Sequence, residues 1–229
     1  MFASKSDHLA QEKAYAFLKE GITTLYFKPN QRLKSAEIAD EVNVSRTPVR
    51  EALGRLVQEG LVKRDDGWGY VVHGLSLQDI LNLWRVREVL EIEAGIEALP
   101  RLGEAEIAEL EACIEKAEGL YRLSRFQEFV VQNRQFYIAL ARMTGNDLLQ
   151  QMLGMIHDRV RLVGSLIVNL HPPRAKELLI ENRRIFNALR DRDPVELESA
   201  LRAHINKSRD HVLRFVGGQS ITAIDAISR

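Results

Sequence analysis

The apolar positions of this chain change rhythm twice. Leu9, Ala10, Ala14, Phe17, Leu18 and Ile22 recur near helical spacing and predict a helix over 9–25, broken at Phe27-Lys28-Pro29-Asn30. Ser35 precedes a short helix with Ile38, Ala39 and Val42 inward, and Asn43-Val44-Ser45 reads as a tight turn. Ser45 suits the N-cap of the next helix, Pro48 sits in its first turn where a missing N–H is harmless, and Gly60 ends it. Leu61 to Arg64 and Tyr70 to Val72 then read as strands around Asp65-Asp66-Gly67-Trp68-Gly69, and Asp-Gly signals a hairpin. From Ser76 the helical period returns and predicts six helices, about 77–99, 104–120, 125–143, 146–168, 174–190 and 194–216. Pro100, Gly103, Gly145, Pro172-Pro173 and Pro194 punctuate them, and Ser124 is placed to cap the third. Short connections between long amphipathic helices imply an antiparallel bundle. The expected fold is mainly α: a winged helix-turn-helix with a small β-hairpin over 1–75, an antiparallel six-helix bundle over 76–216, and a frayed tail over 217–229.

Composition narrows the function classes. Lys plus Arg and Asp plus Glu are both 32 in 229 residues, so a uniformly basic coat for nucleic acid or membrane is excluded, and any such surface must be local. Cys113 is the single cysteine, which rules out an intrachain disulfide or a cysteine-built zinc site and fits a cytoplasmic, reducing compartment. Residues 1–19 are charged throughout with no apolar core, so no signal peptide is expected. No run approaches the ~18 apolar residues of a membrane helix.

On the helix after Ser45, Val49, Ala52, Leu53 and Leu56 share one face and must turn inward. Arg46, Thr47, Arg50 and Gly54 therefore face out, as a DNA-reading helix requires: hydroxyls and N-terminal N–H groups for phosphate, arginine for guanine O6 and N7. From Ser45 to Arg64, Arg46, Arg50, Arg55, Lys63 and Arg64 stand against Glu51 and Glu59, a local excess of three positive charges. Asp65 and Asp66 count against tight phosphate contact at the wing.

The run Val44-Ser45-Arg46-Thr47-Pro48-Val49-Arg50-Glu51-Ala52-Leu53, with Arg55-Leu56 and Glu59-Gly60-Leu61-Val62 behind it, resembles the GntR-type bacterial transcriptional regulators. The likeness continues upstream through Pro29, Arg32-Leu33 and Ile38-Ala39, and downstream to Gly69 and Val72. It implies operator contacts from Ser45, Arg46, Thr47 and Arg50, and a wing contact near Gly67. Ala36 stands where the family often has a polar or basic residue. The helical remainder resembles the FCD effector domain of the FadR subfamily, in its shorter VanR-like form, through Arg87 to Glu91, the Gly145-Asn146 corner, and Asn182, Ile185, Ala200 and His204. That family commonly holds a divalent metal with Asp and His at i, i+4 on the third bundle helix and a His on each of the last two. Here those positions read Asn133, Tyr137, Asn182 and His204, so the carboxylate and most imidazoles are gone and no metal cofactor is expected. His157 and His211 are the remaining histidines that could join a different metal set.

The resemblance implies a homodimeric regulator, most simply a repressor, of double-stranded operator DNA, controlled by a small carboxylate-type effector. The pocket expected for it comprises Arg87, Asn133, Tyr137, Asn182 and His204, with Arg87 either gripping the carboxylate or pairing with Glu91, its i+4 neighbour. Two alternatives stand beside it. A metal-dependent hydrolase is disfavoured by the depleted His/Asp set and the lack of a Ser-His-Asp or Cys-His arrangement. A winged-helix protein-interaction module would have no need of Arg46 and Arg50 on an outward face.

Overall fold

The computed structural model describes residues 5–65, 69–74 and 76–218. They divide into two units between residues 75 and 76. The first contains α1 (Lys5–Thr23), β1 (Arg32–Leu33), α2 (Ser35–Val42), α3 (Arg46–Gln58), β2 (Val62–Asp65) and β3 (Gly69–Val72). Its core joins Ala14, Leu18 and Ile22 of α1 to Val49, Ala52, Leu53 and Leu56 of α3, all fully buried. Each such leucine removed from water contributes about 1.5–3 kcal/mol, which fixes α3 on α1. The turn between α2 and α3 depends on Asn43 in the left-handed region (φ 53°), its N–H bonded back to the α2 carbonyls.

The sheet is larger than the hairpin read from the sequence. β1 adds to it antiparallel, Arg32 opposite Val71 and Leu33 opposite Tyr70, so the strand order is β1-β3-β2. Two residues are too few to show an alternating pattern, which is why β1 reads as loop. Helix α1 also begins earlier than its apolar pattern, because the polar residues at its start carry no periodicity. Gly67 and the turn of the wing lie outside the described residues.

The second unit is helical. α4 (Leu77–Ala98) starts from a capping box between Ser76 and Asp79 and runs into a 3-10 turn, Leu99–Arg101. α5 (Glu104–Arg122), α6 (Phe126–Met143), α7 (Asp147–Leu170), α8 (Pro173–Arg190) and α9 (Pro194–Gly218) follow. Ser124 does not cap α6; it takes the turn's positive φ (55°), and Arg125 is the cap position. α4 packs along α9, α5 along α6 and α8, and α6 along α7. Phe136, Leu140, Phe186, Leu189, Leu197 and Leu201 form the main core. No helix among the described residues is long and apolar enough to cross a membrane.

Candidate functional site

Two places in the fold carry chemistry. On α3, Ser45, Arg46, Thr47 and Arg50 are all exposed, while Pro48 and Val49 between them are buried. Ser45 has the extended backbone of an N-cap, yet its hydroxyl makes no capping bond. Among the described residues neither Arg46 nor Arg50 has an ion-pair partner. Arg55 differs: Glu12 lies at 2.9 Å, Glu59 at 3.3 Å, and its guanidinium sits 3.7 Å above the Tyr15 ring. Glu59 also accepts from Tyr15 Oη (2.7 Å) and Lys19 Nζ (3.0 Å). The charge excess read from the sequence is thus partly cancelled at the C-terminal end of α3 by residues of α1. It remains at the N-terminal end, on Arg46 and Arg50.

In the bundle, the four positions that the family resemblance marks for metal converge as a hydrogen-bonded chain. Tyr137 Oη donates to Asn182 Oδ1 (2.7 Å), and Asn182 Nδ2 donates to Asn133 Oδ1 (2.7 Å). The Tyr137 hydroxyl also lies 3.0 Å from His204 Nε2. Arg87 Nη2 donates to that same nitrogen (2.8 Å), while its Nε donates to Glu91 (2.5 Å). A guanidinium can only donate, so His204 Nε2 accepts and its Nδ1–H donates to Glu181 Oε2 (2.9 Å). Arg174 secures Glu181 from the other side at 2.6 Å. The Tyr137 ring is stacked between the imidazoles of His157 and His204, with centroids 5.4 and 5.3 Å away. Of the two roles open to Arg87, the structure has the pair with Glu91.

Burial decides the protonation of this seam. Desolvation pulls His157 down to about 4 against the attraction of Glu91, and His204 is lowered by burial as well, so both imidazoles are neutral near pH 7. Burial would raise Glu181, but hydrogen bonds from His204 and Arg174 override it and hold the carboxyl at about 2. Glu91 is likewise lowered in spite of burial, by the charge and hydrogen bond of Arg87.

Beside the seam lies a cavity of about 80 Å³. Four arginines line it, Arg87, Arg134, Arg161 and Arg174, and among the described residues no acid does. The carboxylates stand behind: Glu91 on Arg87, Asp158 on Arg134 at 2.6 Å, Glu181 on Arg174. Asn133, Tyr137, His157, His204 and Trp84 face the same space. Asn182 is not among the lining residues; it stands one bond back, holding Tyr137 and Asn133. His211 pairs with Glu177 (3.0 Å) instead of joining this group.

Comparison with known proteins agrees with both halves. Residues 10–72 match the model of the gntR family of bacterial regulatory proteins, and residues 82–207 match the FCD domain. The chain belongs to the GntR family. YdhC, an HTH-type transcriptional regulator of Bacillus subtilis, is 28% identical over 199 residues, covering 86% of this chain and 88% of YdhC. The HTH-type transcriptional repressor RspR of Escherichia coli is 24% identical over 204 residues, 88% of either chain. The structure of E. coli McbR/YncC superposes with a TM-score of 0.81 at 21% identity, over 93% of this chain and 99% of McbR. These relatives are transcriptional regulators, which places this GntR protein among DNA-binding regulators and sets the hydrolase alternative aside.

The metal that FCD domains commonly hold does not fit this donor set. The acceptor atoms of the set are already engaged: His204 Nε2 accepts a hydrogen bond from Arg87, Asn182 Oδ1 from Tyr137 and Asn133 Oδ1 from Asn182, and the Tyr137 hydroxyl is itself spent as a donor. A guanidinium 2.8 Å from the one imidazole nitrogen would repel a divalent cation. Among the described residues no group of three or more His, Cys, Asp or Glu side chains is placed to hold a metal.

Arg134, Arg161, Arg174 and Glu181 are site residues that sequence reasoning missed. One signal was readable: His157, Asp158 and Arg161 interrupt the inward stripe of α7 that Leu153, Leu162 and Val168 otherwise keep apolar.

Proposed function

We propose that this GntR regulator is a cytoplasmic homodimeric repressor whose hold on a near-palindromic operator is controlled by a small organic anion in the bundle cavity, without a metal. The observation that carries the DNA half is the exposed, uncompensated pair Arg46 and Arg50, with Ser45 and Thr47 at the same helix end; a further contact from Gly67 rests on the family resemblance alone. A bidentate arginine on guanine contributes about 1–3 kcal/mol of discrimination. The effector half rests on the four-arginine lining and on the seam of Arg87, Asn133, Tyr137, Asn182 and His204 that shapes one wall. Helix α4 begins at the junction of the two units and carries Trp84 and Arg87 into the cavity lining, so a ligand there acts on the element nearest the DNA unit in sequence.

For the dimer, two recognition helices are needed on a two-fold operator and one chain supplies one. Val86 and Val89 on α4 and Leu148, Met152 and Met155 on α7 are exposed apolar residues on helices that pack together, a face suited to a second copy. Operator binding followed by fluorescence anisotropy at several salt concentrations tests the reading. Arg50→Ala is expected to weaken specific binding by about ten- to a hundredfold while the protein stays folded. Unchanged affinity in Arg50→Ala would remove α3 as the reader.

A further inference from the structure

Among the described residues, Trp84 Nε1, Arg134 Nε and His157 Nε2 are buried around the bundle cavity without a hydrogen-bond partner. All three residues line the cavity, on α4, α6 and α7. Trp84 and His157 are each 3% exposed. An unsatisfied buried polar group costs the full desolvation of that group, and native proteins rarely leave several in one place. An indole N–H and a guanidinium Nε–H can only donate, so the missing partner must be an acceptor. His157 Nε2 lies 3.3 Å from Glu91 Oε1 but in a geometry that makes no hydrogen bond, and a neutral imidazole can present a proton there.

Arg87 is a poor candidate for the same role. Its Nε and Nη2 are committed to Glu91 and His204, and its charge is balanced at 2.5 Å. It acts as a fixed internal cation beside the position where related domains would place a metal. Arg134 keeps Nε uncommitted while Nη2 is anchored on Asp158 (2.6 Å), which fixes the guanidinium for a ligand.

The rest of the lining sets the remainder of the ligand. Val130, Ile167, Val168 and Leu178 supply apolar wall, so the acceptor group must carry a short apolar body. The volume, about 80 Å³, is little more than half of the ~150 Å³ cavity that accepts a benzene ring. Resting on the anion-effector reading above, we infer that the cavity takes a short-chain monocarboxylate of about two to four carbons, its carboxylate held by Trp84 Nε1, Arg134 Nε and His157 Nε2, not by Arg87.

Titration calorimetry on the full chain tests this with acetate, propionate, butyrate, hexanoate and neutral propionamide. Binding is expected in the micromolar to millimolar range for the first three, at least about tenfold weaker for propionamide, and weaker again for hexanoate. Trp84→Phe removes one donor together with part of the ring, and Arg134→Lys, the cleaner change, removes the Nε donor while keeping a cation beside Asp158. Each is expected to weaken propionate about five- to thirtyfold, Arg134→Lys with little change in melting temperature. Because the chain has only Trp68 and Trp84, a propionate-dependent change in tryptophan fluorescence that persists in Trp68→Phe is a second readout. Native propionate affinity in both donor variants would overturn the assignment of these donors and leave the regulator reading intact. So would equal binding of propionamide, or hexanoate tighter than acetate. Operator binding that depends on Arg50 in a chain that binds none of these acids would end this inference alone; loss of both would end the proposed function too.

Discussion

Arg50 and Arg87 show how one side chain takes opposite parts from its surroundings. Arg50 is exposed, with no carboxylate paired to it among the described residues, so its hydrogen-bonding fork is free for a base edge. Arg87 is buried against Glu91 and His204, and its fork is already closed. The same logic governs His157, whose ring burial holds down to about 4 from an ordinary 6.5. Between those values the unfolded chain binds a proton that the folded chain refuses. The stabilisation is therefore complete above about pH 6.5 and is lost as pH falls through 4, a loss of roughly 3 kcal/mol from this group. Glu181, held at about 2, loses its contribution lower still, as pH falls from 4.5 through 2. Urea titrations from pH 7 to 4 are expected to show stability falling with acid in the native chain and a flatter profile in His157→Gln. Equal slopes would remove His157 as the acid-sensitive group.

At the scale of elements, the sequence was most legible where a period could repeat. Val49, Ala52, Leu53 and Leu56 fall at helical spacing, and all are fully buried in α3, so its outward residues follow. Asn43, Gly60 and Gly145 mark turns because each takes a positive φ. Legibility fails where an element is too short or a partner too distant. β1 is two residues long and shows itself only by pairing with β3. Arg55 counts toward the local positive excess until Glu12, 43 residues away, is found beside it. Arg87, Arg134, Arg161 and Arg174 share no motif; four helices bring them to one cavity. Asn43 supplies the test at this scale. At φ 53°, Asn43→Ala is expected to cost about 1 kcal/mol, while Asn43→Gly stays within a few tenths, because only glycine enters the left-handed region freely. Denaturant midpoints of the three proteins check this; an Ala variant as stable as the Gly variant would contradict it.

For the whole molecule, the proposed ligand and the proposed second copy both meet α4 and α7. Their inner faces line the cavity through Trp84, Arg87, His157 and Arg161. Their outer faces carry Val89 (65% exposed) and Leu148 (67%), with Met152 and Met155 beside them. A ligand on the inner face and a second copy on the outer face therefore act on the same two helices. Val89→Glu with Met152→Glu is expected to convert the proposed dimer to a particle of 26.1 kDa in light scattering and to weaken operator binding with it. A double variant that stayed dimeric would move the interface elsewhere.

In the proposed function, an anion in the bundle governs the grip of α3 on DNA. A ligand shifts that grip only as far as it prefers one state of the protein over the other, typically about 5- to 150-fold. The direct measurement is operator affinity by fluorescence anisotropy at fixed salt, with propionate absent and saturating, in the native chain and in Arg134→Lys. The expected result is a shift of at least about fivefold in the native chain that moves to higher propionate in Arg134→Lys. Operator affinity unmoved by a ligand shown to occupy the cavity would contradict it.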